Sequence, residues 1–387
     1  MRRTMTDTDT VADWVALSDR HWPERDAEHW DRAGLQVGDP GAPVDTVLVC
    51  LDVTHDVLDE AERAGAQLVL AHHPLLLRGL ERLTPDTASG ALALRAARAG
   101  IALLAAHTNF DVAEGGTSDP VAALLGLRGV RPLVPARFGD PGQQVKLVTF
   151  VPAAHTAAVL DALSAAGAGD IGEYGACSFR VAGTGTFRPS ERANPAVGER
   201  GRLNEAAEDR LEMVLPRRRA AEVVAALRAT HPYEEVAFDL VPLVALPESG
   251  KGLGRVGDLA EAMTLRAAAR LLATELPSAH LRTAGDPDRT LRRVAVCGGA
   301  GDSLIGAALA AGADCFVTGD LRHHPALDAL TMGMALIDAG HFPTEAAALP
   351  HLLATLRDGA AGAGLRARLV ASAIRTEPWS DWQEEPQ

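Results

Sequence analysis

A chain of 387 residues with 47% hydrophobic residues, a mean hydropathy of +0.03 and a net charge of -14 has room for two domains and enough apolar surface for buried cores. Its acidity argues against a general binder of nucleic-acid backbones, which needs concentrated positive charge, and no apolar run approaches the roughly 18 residues of a membrane span. Cys50, Cys177, Cys297 and Cys315 form no CxxC pair, and three of them end or interrupt apolar strands, which points to buried reduced thiols in a cytoplasmic protein.

Met1-Arg-Arg3 leads into polar residues and not into an apolar core segment, so no secretory signal is expected. The apolar spacing from Val11 to Trp30 is helical, with Gly34 suited to a break. Thr46 to Asp52 is a continuous apolar run of strand length, His55 to Ala64 reads as a helix, and Gln67 to Ala71 as the next strand. A helix from Gly90 to Ala99 and a strand from Ile101 to Ala106 continue the alternation, which indicates βαβ units and a parallel sheet. A helix from Ser118 to Leu125 closes the segment, with Asp119 and Pro120 as its start signals.

Between Gly126 and Gly142 the texture changes to Pro, Gly and Arg, which marks a boundary. Beyond it the pattern predicts a strand from Val145 to Val151, a helix from Ala154 to Ala166 and strands around Cys177 to Phe187 and Arg210 to Val214. A helix from Ala220 to Ala229 and a strand from Glu235 to Val241 complete the block. That β-α-β-β-α-β order is ferredoxin-like and reads as an insertion. From Lys251 the earlier rhythm returns: helices from Leu265, Ser303, Pro325 and Pro343 alternate with strands from Arg293, Asp314, Ala335 and Arg366. The expected organisation is α/β, with mostly parallel sheets flanked by helices. A core in two halves, residues 1–130 and 251–387, is interrupted by an α+β insert over 131–250. The last residues, Glu377 to Gln387, are polar and expected to fray.

Chemistry gathers where strands end. Leu68-Val-Leu-Ala71 runs straight into His72-His73-Pro74, and Pro74 keeps His73 extended instead of letting it roll into a helix. Three further clusters follow strands: His107-Thr-Asn-Phe-Asp111, Thr318-Gly-Asp-Leu-Arg-His-His324, and Gly340-His-Phe-Pro-Thr-Glu345. Pro343 suits the first turn of a helix and places Glu345 in that turn, facing His341. All these groups are expected at the rim of a single sheet, where ligand sites collect. Imidazoles with a few carboxylates and no thiolate suit zinc, iron, manganese, cobalt or nickel and not calcium, with zinc or iron leading. Adjacent His72 and His73 point apart on an extended backbone, so each holds one ion of a pair. Asp111 is the natural carboxylate between two ions roughly 3.5–4 Å apart.

The plainer reading of any one of these histidines is a hydrogen-bonded structural group, and only the set argues for metal. His55, at a helix start, reads as a surface or capping residue, and His21, His29, His155, His280 and His351 as unremarkable. Gly252-Leu-Gly-Arg-Val-Gly257 matches G-x-G-x-x-G but lacks the strand-turn-helix frame and acidic partner of a dinucleotide site. Cys297-Gly-Gly-Ala-Gly-Asp-Ser303 lies between strand and helix and lacks the P-loop lysine; it reads as a tight turn or as an anion cradle.

Together, Ala71-His-His-Pro74, His107 to Asp111, Thr318-Gly-Asp320 with His324, and Gly340-His341 with Glu345 resemble the GTP cyclohydrolase I type 2 homolog family, also called NIF-three-like. The likeness extends to Trp30-Asp-Arg-Ala-Gly-Leu-Gln-Val-Gly38, where Arg32 replaces a frequent Asn, and to Lys251 to Gly257. The resemblance implies a dinuclear site with His72, His73, Asp111, His341 and Glu345 as ligands, and His107 and His324 nearby as proton-transfer groups. It also implies a homohexamer around an internal cavity. The insert, with Tyr174, Gly183-Thr-Gly-Thr-Phe187 and His231-Pro-Tyr-Glu-Glu235, is then similar to PII-type signalling proteins. The function expected is a metal-dependent hydrolase acting on a small anionic substrate. If the family name holds, that substrate is GTP, opened to formate and dihydroneopterin triphosphate. The alternative is a metal-binding adaptor or regulator whose insert senses a metabolite or partner and whose centre is structural or stores metal.

Overall fold

The computed structural model describes residues 8–137, 144–172, 174–243, 247–277 and 280–380. The basic opening Met1-Arg-Arg3, residues 138–142 of the expected boundary and residues 381–387 of the tail lie outside the described residues. The chain divides into two compact units, Met1–Ala136 with Glu248–Gln387, and Arg137–Pro247.

In chain order the first unit begins with α1 (Val11–His21), β1 (Gly34–Val37), β2 (Thr46–Cys50), α2 (His55–Ala64), β3 (Leu68–Ala71), α3 (Ala88–Ala99) and β4 (Ala102–Ala105). The short α4 (Thr108–Asp111), α5 (Ser118–Leu124) and β5 (Leu127–Arg137) follow. The second unit is β6 (Gln144–Pro152), α6 (Thr156–Ala165), β7 (Phe179–Phe187), β8 (Asn204–Pro216), α7 (Ala220–Thr230) and β9 (Phe238–Pro242). The chain then returns to the first unit with β10 (Pro247–Thr264), α8 (Leu265–Glu275), β11 (Arg282–Ala284), β12 (Thr290–Ala300), α9 (Ile305–Ala310), β13 (Cys315–Gly319) and α10 (His323–Thr331). It ends with β14 (Ala335–Asp338), α11 (His341–Ala346), α12 (Leu349–Ala363) and β15 (Arg368–Ala371).

Local chemistry sets many of these bounds. Thr10 and Asp13 form a reciprocal capping box on α1, which stops well short of the expected Trp30 because Pro23 follows its last turn. Thr54 caps α2 and Gly65, left-handed at φ 64°, ends it, so the helix coincides with the expected one. Pro343 lies inside α11, which begins at His341 and ends at Ala346, and a separate helix follows where one was expected.

The first unit holds two sheets, so the polar clusters expected at the rim of one sheet are divided between two. One has the order β1-β4-β3-β2-β15, and the other β11-β14-β13-β12-β10-β5. In the first, β2, β3, β4 and β15 are parallel and β1 is antiparallel; in the second, β12, β13 and β14 are parallel, with β10 and β11 antiparallel. Along β2, Val47 and Val49 pack against Trp14, Leu17, Leu352 and Leu356, while Leu48 and Cys50 pack with Val57 and Leu58 on the other face. Burial on both faces explains why these strands read as continuous apolar runs, each fully buried Val or Leu contributing about 2 kcal/mol. The second sheet is sandwiched likewise. Val294, Val296 and Val317 meet Leu265 and Leu272 on one face, and Ala295 and Phe316 meet Ile305 and Ala308 on the other.

Two glycine-bearing strands were not visible in the sequence. The expected boundary from Gly126 is largely β5, and Gly252 to Gly257 belong to β10. A Cβ on Gly252 would stand 2.3 Å from the Val134 carbonyl, and one on Gly254, at φ +62°, 2.9 Å from that of Val296. Close strand approach, not a phosphate, requires those glycines. In the second unit the sheet order is β7-β8-β6-β9, antiparallel throughout, with α6 and α7 packed on Val145, Leu147, Leu211 and Met213. Its element order is the β-α-β-β-α-β expected. No helix of the described residues is long and apolar enough to cross a membrane.

Candidate metal centre

The carboxyl ends of strands from both sheets of the first unit supply the site. His72 and His73 follow β3, and their backbone N–H groups donate to the carbonyls of Cys50 at 3.1 Å and Leu51 at 2.8 Å, so the parallel ladder fixes the pair beyond the strand's end. His107 follows β4 and Asp111 lies on α4. His341 opens α11 after β14, and Glu345, one turn later on the same face, places Oε1 3.2 Å from His341 Nε2. Glu345 is therefore not in the first turn facing His341 across a loop, as Pro343 had suggested; the helix starts earlier.

Every imidazole is oriented by its outer nitrogen. His72 Nδ1 meets the Ala106 carbonyl at 2.8 Å, His73 Nδ1 meets Asp52 at 2.7 Å, His107 Nδ1 meets Asp31 at 2.7 Å and His341 Nδ1 meets Asp320 at 2.7 Å. The Nε2 atoms of His72, His73 and His341 are left to face Glu345, at 3.7, 3.0 and 3.2 Å from its nearer oxygens. Asp320 holds a left-handed backbone at φ 55°, a strained conformation that aspartate tolerates and that functional sites collect. Asp111 Oδ1 accepts from Thr117 at 2.6 Å and lies 3.6 Å from His72 Nε2. Glu345, with Oε1 toward His72 and His341 and Oε2 toward His73, is the carboxylate that faces all three rings, while Asp111 faces His72.

The charges are strongly coupled. Burial opposes a charge on Glu345, but the His73 imidazolium, with the His341 and His72 rings beside it, holds its carboxyl well below the usual range. Burial likewise disfavours the charged imidazole of His73, yet Glu345 and Asp52 override it and raise His73 to about 10. His341 rises to about 9 because its hydrogen bond to Glu345 outweighs burial. Asp111 is pushed up, chiefly by burial. Asp31, despite burial, is held at about 2 by hydrogen bonds from His107 and Thr108.

The donors fit metal ions. His72 Nε2 and Glu345 Oε2 are buried and without a hydrogen-bond partner among the described residues. His73, His341 and Glu345 form one group able to hold an ion, and His72, His73 and His107 a second, each with its donor atoms within 4.8 Å. With metal–nitrogen bonds of about 2.1 Å, donors around one ion stand roughly 3.0–3.4 Å apart. His73 Nε2 is 3.3 Å from His341 Nε2 and 3.0 Å from Glu345 Oε2, which matches. Gly299, at φ +67°, keeps the space open, since a Cβ there would lie 2.1 Å from Glu345 Oε1. The glycine run around it is no anion cradle: Gly298 N–H donates to Ser118 and Gly299 N–H to Thr344.

A cavity of about 1110 Å³ opens onto this cluster, walled in part by Trp30, Phe342 and Trp379 and lined by His107 and, unexpectedly, His280. His324 is not brought here. It is exposed on α10 with its ring edge-on to His323, 5.2 Å between centroids. Sequence reasoning also missed the orienting trio Asp31, Asp52 and Asp320, for which an aspartate just past an apolar strand was the available signal at Asp52 and Asp320.

The Duf34/NIF3 (NGG1p interacting factor 3) family profile matches residues 10–378. A Mycobacterium tuberculosis protein named GTP cyclohydrolase 1 type 2 homolog is 45% identical over 375 residues, 96% of each chain. A Bacillus subtilis protein of the same name is 41% identical, covering 85% of this chain and 87% of its own length. The crystal structure of a Bacillus cereus protein related to NIF3 is 37% identical, covers 97% of this chain and 100% of its own, and superposes with a TM-score of 0.67.

Proposed function

This chain belongs to the Duf34/NIF3 family, and from that premise we propose that it is a dinuclear metal-dependent hydrolase. The observation that carries the reading is the arrangement of three Nε2 atoms around one buried, partly unpartnered glutamate, with each ring locked from behind. His72, His73, Asp111, His341 and Glu345 would hold the two divalent ions, with His73, His341 and Glu345 as one group of donors close enough to share an ion. Zinc or iron suits the donor set best, with manganese, cobalt or nickel also compatible. Bound there, the two ions supply a water acidified to a hydroxide nucleophile and a net cationic centre for an anionic group.

The protein's own groups do the rest. His107, backed by Asp31 and lining the cavity, takes and returns a proton on the substrate side. Asp52 and Asp320 keep their histidines in the tautomer that turns Nε2 inward. Trp30, Phe342 and Trp379 offer apolar faces to an aromatic ring. The names of the relatives make GTP the first substrate to try: two waters would cleave both C8–N bonds to release formate, and the ribose of the remaining diaminopyrimidine would open, rearrange and close on the free amine with loss of one water to give dihydroneopterin triphosphate. The same reading includes a cytoplasmic homohexamer and an insert over residues 131–250 similar to PII-type proteins.

The test is incubation of metal-loaded protein with GTP and assay for formate and a pterin chromophore. Product is expected from the wild type and none from Asp111→Ala. No product with the wild type, or equal product from the variant, rejects the cyclohydrolase reading.

A further inference from the structure

The second unit has a cleft of its own, about 620 Å³, on the sheet face away from α6 and α7. Its floor is β7 against β8, where Gly183 pairs with Glu208 and Gly185 with Ala206. Neither glycine presents a side chain, and a Cβ on Gly185 would stand 2.1 Å from Glu208 Oε2. Glu208 is 9% exposed and forms no ion pair among the described residues. Its Oε1 accepts from the Tyr233 hydroxyl at 2.8 Å, and its Oε2 accepts no hydrogen bond from the described residues. Burial and that same hydrogen bond raise Tyr233 to about 12, so the phenol stays protonated as a donor.

The walls are aromatic. Phe187 and Tyr233 lie 6.4 Å apart, tilted by 46°, and form an open wedge beside the carboxylate. Tyr233 is fixed from behind by buried His231, whose ring is 5.0 Å away and whose Nδ1 accepts the Tyr233 N–H at 3.1 Å. The roof, from Arg188 to Val197, is tied down by the Asn194 N–H donating to Glu234 at 2.8 Å. Glu208, Glu234 and Glu235 line the cleft against Arg188 and Arg210, and Arg210 is already paired with Glu212 at 2.9 Å, so the local balance is negative.

We propose that this cleft is a binding site for a small organic cation, a protonated amine, amidinium or guanidinium on an apolar ring-sized body. Its charge sits on Glu208 Oε2 and its ring against the exposed edges of the Phe187–Tyr233 pair. The spare oxygen of a largely buried carboxylate faces the cleft, and a cationic donor placed there satisfies both its lone pair and its charge. Aromatic faces add cation–π attraction, and the volume suits a ligand of that size. The inference stands apart from the metal chemistry proposed above, because no residue is shared.

Calorimetric titration of the full chain with benzamidine, benzamide and benzoate tests it. The three share a ring and differ in charge. Benzamidine is expected to bind and the other two not, and Glu208→Gln should weaken benzamidine by roughly tenfold to a hundredfold. Gly183→Leu, in a strand position where a Cβ meets nothing nearer than a carbonyl at 3.9 Å, should block the cleft and leave the melting temperature near wild type. Should Glu208→Gln fail to fold, Gly183→Leu decides alone. Absence of benzamidine binding, equal binding of benzoate or benzamide, or unchanged affinity in the folded variants overturns the site.

Discussion

Each of the two units buries a glutamate with one oxygen left over, and what surrounds that oxygen differs. Around Glu345 stand three imidazole nitrogens within 3.7 Å, each locked in direction. Around Glu208 stand a phenol, two aromatic faces and empty floor. The first setting can close on an ion through direct bonds, because imidazole nitrogen and carboxylate oxygen are both metal donors. The second sets one carboxylate beside aromatic faces with no imidazole nitrogen of the described residues against it, the setting proposed above for an organic cation. The same buried acid is thus committed to different partners by its neighbours.

The comparison breaks most readily at Glu345. Glu345→Ala should strip the centre of metal, at least about a hundredfold in affinity, while the second unit is untouched. Plasma mass spectrometry of the purified variant reports this, and retained metal would remove Glu345 from its central place. Next in size are the aspartates behind the rings. Asp52→Asn and Asp320→Asn each let a histidine turn, and metal affinity should drop about tenfold to a hundredfold by competition with a chelating dye.

A smaller and more diagnostic effect is expected with pH. In the metal-free chain the pKa values of His73 and His341 are raised to about 10 and about 9 from an ordinary 6.5. Their pairing with Glu345 therefore stabilises the fold fully below about pH 6.5 and is lost as pH climbs through 9 to 10. Bound metal replaces those protons. The metal-free melting temperature should fall between pH 7 and 10 while that of the loaded protein stays nearly level, and parallel curves would mean that the ions do not contact these rings. Smallest of all, Tyr233→Phe should cost about 1 kcal/mol in urea unfolding, since it leaves Glu208 Oε1 without its donor.

What the sequence disclosed, it disclosed where local signals agree. Helix α2 was legible to the residue because Thr54 and Gly65 bracket an amphipathic run, and β14 because three apolar residues stop at Asp338. Strand β10 escaped because a glycine-rich stretch has no period to detect and its glycines answer to neighbouring backbones far away in sequence. The division into two sheets escaped for a related reason: alternation of strand and helix says that strands are parallel, not which of them share hydrogen bonds. At the centre, the histidines were legible as a group. Their orienting aspartates were not, because an aspartate after a strand looks the same whether it caps a turn or aims a ring.

Gly299 shows how little would be needed to silence the centre. It carries no donor, yet its one hydrogen is all that separates the backbone from the Glu345 oxygen, and its left-handed turn already excludes most replacements. Gly299→Ala would press a methyl group onto the Glu345 oxygen and leave every candidate donor in its native identity. A catalogue of donor residues would pass such a chain as intact, so competence in relatives of this protein is better judged from the void between the donors than from the donors alone.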